Sequence, residues 1–563
     1  MIDGIPNIPP GLIFIFGAML LPLFGKGKAR QVYLIILAAL GLISVAVMRE
    51  PQTNWVFSRL IFLQVDRLGL LMGYIFAIIG AAAIVYSLEI VKENGEFICG
   101  LLYLGSALGA VFAGDFFTLY IFWEIMAFSS LGLIWYSRTE RATNAGMRYI
   151  LFHLFGGGAF LGGIIMHYMN TGSIAVGPVE PGIGYWLLLM GIGVNTAFIL
   201  LHTWLPDSYP KATIAGAVFM CVFTTKTGVY VLARTFPGVE AVAYMGGVMC
   251  LYGVVFALLQ NDVRKLLSYH IISQVGYMVA GIGIGTYMGI NGGIAHVFNH
   301  ILYKALLFMC MGAVISSTGK NNLTELGGLA KKMPVTTITC IIAALSISGV
   351  IGFNGYISKG MVIHAAEMEE LHLLVILMTL GSVGTLLSFI KLVYFTFFSK
   401  NDAIEATEVP LLMLIPMCVV AFLCVAIGVY PQLLYTILPY VEATTHYHAF
   451  APGHTFSVLQ IVLMTVFLFF MIGFFIPHEK ITYDVDYIYR KAGRGFISLC
   501  EGPLVNFATA VEKQLLRFAD YIVKFSKNPR RETRLGIGTG VLFVILFFAL
   551  YLIIMLYAGW LSP

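Results

Sequence analysis

Apolar runs of about 20 residues recur from GLIFIFGAMLLPLFG near the N-terminus almost to Pro563, separated by short connectors that carry charged or turn-forming residues. Each run is long enough to cross the roughly 30 Å hydrocarbon core of a bilayer as a helix. Counting the runs predicts about sixteen spans, near 8–24, 31–48, 67–90, 97–114, 116–136, 144–169, 185–204, 213–234, 241–260, 266–286, 291–317, 335–364, 372–398, 410–430, 456–476 and 536–558. The expected fold class is therefore an all-α polytopic membrane protein. One connector, 477–534, is long, and in it Val511, Leu515, Phe518 and Ile522 recur at helical spacing opposite Glu512, Lys513, Arg517, Asp520 and Lys524. This pattern predicts an amphipathic interfacial helix before the last span, beginning near Pro503 and running roughly 35 Å.

Composition agrees with the pattern. The 563 residues are 59% hydrophobic and 11% charged, against roughly 45–50% and about 25% for a soluble domain. The opening MIDGIPNIPP carries an acidic residue where a cleaved signal would be basic, so the first run reads as a retained span. The eight cysteines form no CxxC pair and mostly fall in apolar runs, which marks them as small core residues and leaves iron–sulfur, haem c and zinc sites unsupported; no cofactor is expected. With the N-terminus outside, the sixteen spans put Lys26, Lys28, Arg30, Arg138, Arg141, Arg148, Lys211, Arg264, Lys265, Lys331, Lys332 and the basic 477–534 segment in the cytoplasm. That distribution follows the positive-inside rule, places both termini outside and assigns the chain to the inner (cytoplasmic) cell membrane.

Ionisable residues inside the spans change the picture from anchor to transporter. Glu124 stands alone between Asp115 and Arg138, Lys226 between Lys211 and Arg234, Lys304 between Lys265 and Lys320, and Lys359 between Lys332 and Glu367; Lys391 lies in LLVILMTLGSVGTLLSFIKLVYFTFF. Each costs roughly 2.5–3.5 kcal/mol on insertion scales, or on the order of 12–17 kcal/mol together. A passive anchor has no physical reason to keep them. Two segments, GVNTAFILLHTWLPDSYPKATIAG at 193–216 and SISGVIGFNGYISKGMV at 346–362, hold helix-disrupting residues at membrane depth, where unwound backbone is tolerated if it lines a hydrated cavity. Their spacing suggests two repeats of about five spans. Of the remaining polar groups, His153 and His364 read as satisfied core histidines, Asp66 as a helix cap, and His270 as a proton-entry group or a helix-start residue.

The stretches DFFTLYIFWE, LHTWLPDSYPKATIAGA followed by KTGVYVLAR, QNDVRKLLSYHIISQVGYM, AHVFNHILYKALLF and SGVIGFNGYISK stand in the order and spacing of the antiporter-like subunits shared by respiratory complex I, Mrp-type sodium/proton antiporters and energy-converting hydrogenases. The chain resembles that family over roughly residues 66–435. The resemblance implies two inverted five-helix repeats with broken helices and a proton path at the membrane centre. It places Glu124 as the glutamate of the fifth helix, Lys226 as the lysine of KxGxY, His296, His300 and Lys304 as the HxxxHxxxK run whose steps of four share one helix face, and Lys359 as the lysine of the broken twelfth helix. Burial favours the neutral form of each, so small changes in neighbouring charge could move protons along the set. Asn195 departs from the pattern, for the family usually has there a lysine paired with the glutamate, and Leu200 replaces a proline. His202, seven residues on, is a partial substitute; Asp207 and Lys391 are further secondary candidates.

The implied organisation is 1–95 as N-terminal transmembrane helices, 96–400 as the antiporter-like core, 401–476 as C-terminal helices, 477–534 as the amphipathic segment and 535–563 as the last span. The implied function is a proton-translocating subunit, with sodium/proton antiport as one form, working with other integral membrane subunits; the chain carries no catalytic site of its own. The alternatives are a pump module of a complex I or hydrogenase-like redox complex and, in another class, a non-conducting structural subunit.

Overall fold

The computed structural model of the chain describes residues 8–401, 403–445, 447–471, 477, 484–526, 545–549 and 551. It opens with α1 (Pro10–Leu20) and α2 (Lys28–Ala46), a hairpin of β1 (Gln52–Phe57) and β2 (Leu60–Val65), and then α3 (Arg67–Ser87), α4 (Asn94–Phe112), α5 (Phe116–Trp135) and α6 (Glu140–Thr171). The next stretch is interrupted: α7 (Ile183–Asn195), α8 (Trp204–Ser208), α9 (Ile214–Met220) and α10 (Phe223–Thr235). Three long helices follow, α11 (Glu240–Leu258), α12 (Val263–Ile284) and α13 (Tyr287–Thr318), and a second interrupted pair, α14 (Pro334–Ser348) and α15 (Asn354–Met368). The series continues with α16 (His372–Val393), α17 (Leu411–Val429), the short α18 (Gln432–Tyr435) and α19 (Val441–Thr444), and α20 (Pro452–Met471). Helix starts are set by side chains that accept from the first free amides, as Asp66, Asp115, Thr139, Thr213, Asp262 and Thr286 do.

Twelve helices among the described residues are long and apolar enough to cross a membrane, and three shorter apolar ones accompany them. The expected span near 536–558 falls largely outside the described residues. The interruptions expected at 193–216 and 346–362 are present, and they shorten the counted spans: the helix expected over 185–204 ends at Asn195, and 335–364 is split into α14 and α15. The split follows from glycine. Gly349 (φ +74°) ends α14 in the left-handed conformation, its amide donating to Ser346 O, and a Cβ on Gly355 would lie 1.8 Å from that same carbonyl oxygen. The all-α expectation also needs correction at 52–65, where the antiparallel hairpin pairs Gln52 with Val65 and Phe57 with Leu60. In this connector Leu63 and Val65 turn inward and Gln64 outward, an alternation of period two that an apolar count does not register.

Burial orders the helices. α12 and α13 are covered along almost their whole length, whereas α20 keeps Leu463, Phe467 and Phe470 exposed, as suits a helix facing lipid. The buried centre therefore lies where α10, α12, α13 and α15 meet. At one end of α3, Asp66 caps the helix through Gly69 N–H (2.8 Å) and receives a two-pronged contact from Arg234 (2.5 and 2.6 Å), tying α3 to the end of α10. Burial alone would raise the Asp66 carboxyl, but the hydrogen bond and charge of Arg234 and the Gly69 amide outweigh it and hold the group below its ordinary 3.8. A depressed folded value stabilises above the ordinary value and is lost as pH falls through the folded one. Asp66→Asn is thus expected to lower the Tm of the purified protein by a few degrees at pH 7, with the gap to wild type closing below pH 3.8. A gap that stays constant down to pH 3 would show that the pair contributes nothing through its charge.

Residues from Val485 onward form a separate unit. In it α21 (Asp486–Leu499) and α22 (Val505–Ser526) are joined by a wide turn at 500–504 that contains Pro503. The expected amphipathic helix is α22: Val511, Leu515, Phe518 and Ile522 are exposed along one stripe, and Lys524 pairs with Asp520 one turn earlier at 2.9 Å.

Candidate functional site

The site is best built outward from α13. Steps of four along this helix align His296, His300 and Lys304, and all three side chains are fully buried. His296 bridges two neighbours, Nδ1 lying 2.9 Å from Ser358 Oγ on α15 and Nε2 3.3 Å from Tyr303 Oη. Neither ring nitrogen of His300 and no proton of Lys304 Nζ has a hydrogen-bond partner among the described residues. Lys304 instead sits over the Phe389 ring, 5.8 Å from its centroid.

Two lysines flank this row. Lys226 begins its stay in α10 just beyond the break from α9, and its Nζ donates to Cys221 O at 2.6 Å, using a carbonyl freed where the helix is interrupted. Lys359, in α15, has no hydrogen-bond partner among the described residues and lies over the Tyr277 ring at 4.9 Å. Electrostatics joins them: His300 feels the charges of Lys226, Lys304, His296 and Lys359, and Lys304 that of Lys226. His300 thus lies within electrostatic range of the four other buried groups, Lys226, Lys304, His296 and Lys359.

His270 belongs with them. It is fully buried in α12, packs 4.7 Å from Phe389, and feels both Lys304 and Lys359. Its place in the row was not foreseen, although a signal existed: His270, Gln274 and Tyr277 stand at helical spacing on one face, and Gln274 and Tyr303 continue the polar lining (3.5 Å) toward Thr385 (3.3 Å).

Glu124 stands apart. It is half-buried on α5, its Oε1 pressed against Gly157 of α6 so closely that a Cβ there would lie 2.1 Å away, with Tyr120 one turn earlier within hydrogen-bonding reach. Among the described residues no cation lies within ion-pair distance of it. The missing link is Asn195. At the last turn of α7 it is buried, its amide has no partner among the described residues, and it packs against Gly228 on α10, two residues from Lys226. Its neighbour Val194 packs on Gly156, beside the seat of Glu124. Position 195 thus lies on α7 between α6, which seats Glu124, and α10, which carries Lys226.

The secondary candidates divide. His202 does not continue the face of α7, because residues 196–203 are unwound; there Ala197 (φ +57°) and Leu200 (φ +81°) adopt left-handed backbone. Trp204 Nε1 bridges the break by donating to Val194 O at 3.0 Å. His202 is fully buried and its Nε2 lies 3.4 Å from Asp484 Oδ1. Asp207 accepts from Arg148 Nε at 2.5 Å, fastening α8 to α6. Lys391 donates to Leu258 O (2.7 Å) and Gln260 O (3.0 Å), which makes it a cap for the carbonyl end of α11. His153 Nδ1 donates to Tyr149 O at 2.9 Å and its ring stacks on Tyr149; His364 is half-buried beside Tyr447. Among the described residues no group of three or more His, Cys, Asp or Glu is placed to hold a metal ion.

Comparison with known proteins follows the same lines. The family model for the membrane part of NADH:quinone oxidoreductase and Mrp antiporter subunits matches residues 113–388, which contain the whole buried set. An uncharacterised protein of Methanocaldococcus jannaschii is 33% identical over 374 residues, covering 62% of this chain and 77% of that one. The Na(+)/H(+) antiporter subunit A1 of Staphylococcus aureus is 28% identical over 530 residues, 84% of this chain, and this chain spans only 66% of that subunit's length. The fold matches a chain of the Mrp complex from Dietzia sp. (TM-score 0.71, 20% identity, 81% of this chain and 98% of that chain). It also matches a chain of the membrane-bound sulfane sulfur reductase, an archaeal respiratory membrane complex (TM-score 0.72, 23% identity, 96% and 99%). The chain belongs to the NADH:quinone oxidoreductase/Mrp antiporter family of membrane subunits.

Proposed function

We propose that this chain is a proton-translocating subunit of a multisubunit membrane complex, with basic loops on the cytoplasmic side and both termini outside. The observation that carries the reading is the buried set Lys226, Lys304, His300, His296 and Lys359 at the junction of α10, α12, α13 and α15, bordered by two helix breaks. Buried amines and imidazoles without fixed counter-ions exchange protons at small energetic cost, because neither protonation state is locked. Lys226 and Lys359 each sit next to unwound backbone, at Cys221–Val222 and at 349–353, where protons can enter and leave the dry centre. Two five-helix repeats, each with one break, would give the two half-paths. The other integral membrane subunits supply the driving force, as sodium exchange or as redox chemistry, since this chain offers a path and no reaction.

The test is proton flux in vesicles holding the intact complex, read with an internal pH dye. Lys226→Ala and Lys359→Ala are each expected to lower flux severalfold with the complex still assembled. Wild-type flux in both would remove the relay from the protein's function and favour the structural-subunit reading, for which the absence of a lysine at Asn195 is the best support.

A further inference from the structure

One buried carboxylate is not used by the relay. Asp484, in the stretch just before α21, keeps only 7% of its side chain exposed. Three elements converge on it: Tyr252 of α11 donates to Oδ1, Tyr269 of α12 donates to Oδ2 at 2.6 Å, and His202 of the 196–203 break brings Nε2 to 3.4 Å from Oδ1. Phe256 stacks on both tyrosine rings, and the Tyr252 ring packs edge-on against His202 at 4.9 Å. A surface connector has no need to bury an acid. Here it is seated on the interrupted helix of the first repeat, where Ala197 and Leu200 hold strained backbone.

We infer that His202 and Asp484 form a proton-loading pair for the first repeat, distinct from the glutamate–lysine pair that Asn195 removes, with Tyr252 and Tyr269 fixing the carboxylate. Two hydroxyl donors favour the charged form of an acid, so Asp484 serves as a standing anion and His202 as the group that gains and loses the proton. Although burial alone would push the Asp484 carboxyl up, the hydrogen bond and charge of His202 and the two tyrosine hydroxyls hold it well below the usual carboxylate range. In the loading step His202 Nε2 takes up a proton and becomes imidazolium beside the carboxylate. In the release step the same proton leaves and neutral imidazole remains, the pair alternating between net charges of zero and minus one. The inference rests on the proton-translocating reading, and it gives that reading a starting point on the side of the break.

The experiment uses the intact complex in vesicles, with assembly checked by size exclusion. Asp484→Asn and His202→Gln are each expected to lower flux by an order of magnitude or more, with no further loss when combined, and Asp484→Glu to retain most of it. Rescue by Glu separates proton loading from bracing, because a carboxylate one methylene longer disturbs the packing more than the isosteric Asn does while keeping the charge. Wild-type flux in Asp484→Asn, while Lys359→Ala is inactive, overturns the pair and leaves the relay standing. Loss of assembly in both Asp484→Asn and Asp484→Glu overturns it in favour of a structural clasp. Wild-type flux in Lys226→Ala, Lys359→Ala and Asp484→Asn alike removes the underlying reading itself.

Discussion

Substituting methionine for Lys304 is expected to abolish proton flux while leaving the complex assembled and, if anything, harder to denature. Lys304 is fully buried, its amine has no hydrogen-bond partner among the described residues, and it lies within electrostatic range of the like-signed Lys226. The contact with the Phe389 ring recovers little of the desolvation cost, since a cation–π contact is worth about 2 kcal/mol when desolvated. Methionine matches the length and bulk of the stem, so no cavity opens. Replacing even a paired set of buried charges by apolar side chains of similar volume is often neutral or stabilising by about 1–4 kcal/mol, and an unpaired buried amine has less attraction to lose. Function should move the other way, because Lys304 lies within electrostatic range of Lys226, His270 and His300 and so sits in the middle of the set. Flux in vesicles and resistance of the purified complex to denaturant measure the two halves of this expectation. A Lys304→Met complex that still conducts, or one that is less stable than wild type, would show that the amine has a structural role and that the relay runs elsewhere.

The buried ionisable set was legible where it lies along one helix. His296, His300 and Lys304 recur every four residues, so their shared face follows from the 3.6-residue period alone, and the structure places them together as that period requires. The broken segments were legible in kind, because Gly349, Gly352 and Gly355 cluster where no helix interior would choose them, although the ends of α14 and α15 were not. What could not be read were the meetings of residues distant in the chain. Lys391 reads as an isolated membrane lysine until α11 ends beneath it, and its two carbonyl partners are 133 and 131 residues away. Asp484 lies 232 residues from Tyr252, in a connector whose sequence says only that it is polar. His202 was placed on the face of a helix that stops at Asn195, because an apolar run does not reveal where backbone hydrogen bonds are given up. Glu124, the most conspicuous charge in the sequence, has no ion-pair partner among the described residues.

That separation makes position 195 decisive, and Asn195→Lys is expected to connect Glu124 to the relay. Asn195 packs on Gly228, two residues beyond Lys226, while Val194 beside it packs on Gly156, next to the glycine that seats Glu124. A four-carbon stem at this position, with a mobile ammonium at its tip, has the carboxylate on one side and Lys226 on the other. With Glu124 present, the new charge gains a counter-ion in a low-dielectric setting, and thermal stability should stay near that of wild type. With Glu124→Gln in the same chain the ammonium is left unpaired beside a second one, a change that costs about 3–5 kcal/mol in buried pairs. Transport should respond in parallel: Glu124→Gln is expected to alter flux little in the wild-type chain, whose Glu124 is isolated, and to lower it severalfold in the Asn195→Lys chain. The double-mutant cycle isolates this coupling from the effect of either substitution alone. Equal effects of Glu124→Gln in both backgrounds would mean that residue 195 does not bridge the gap, and that Glu124 answers to a group on a neighbouring subunit instead.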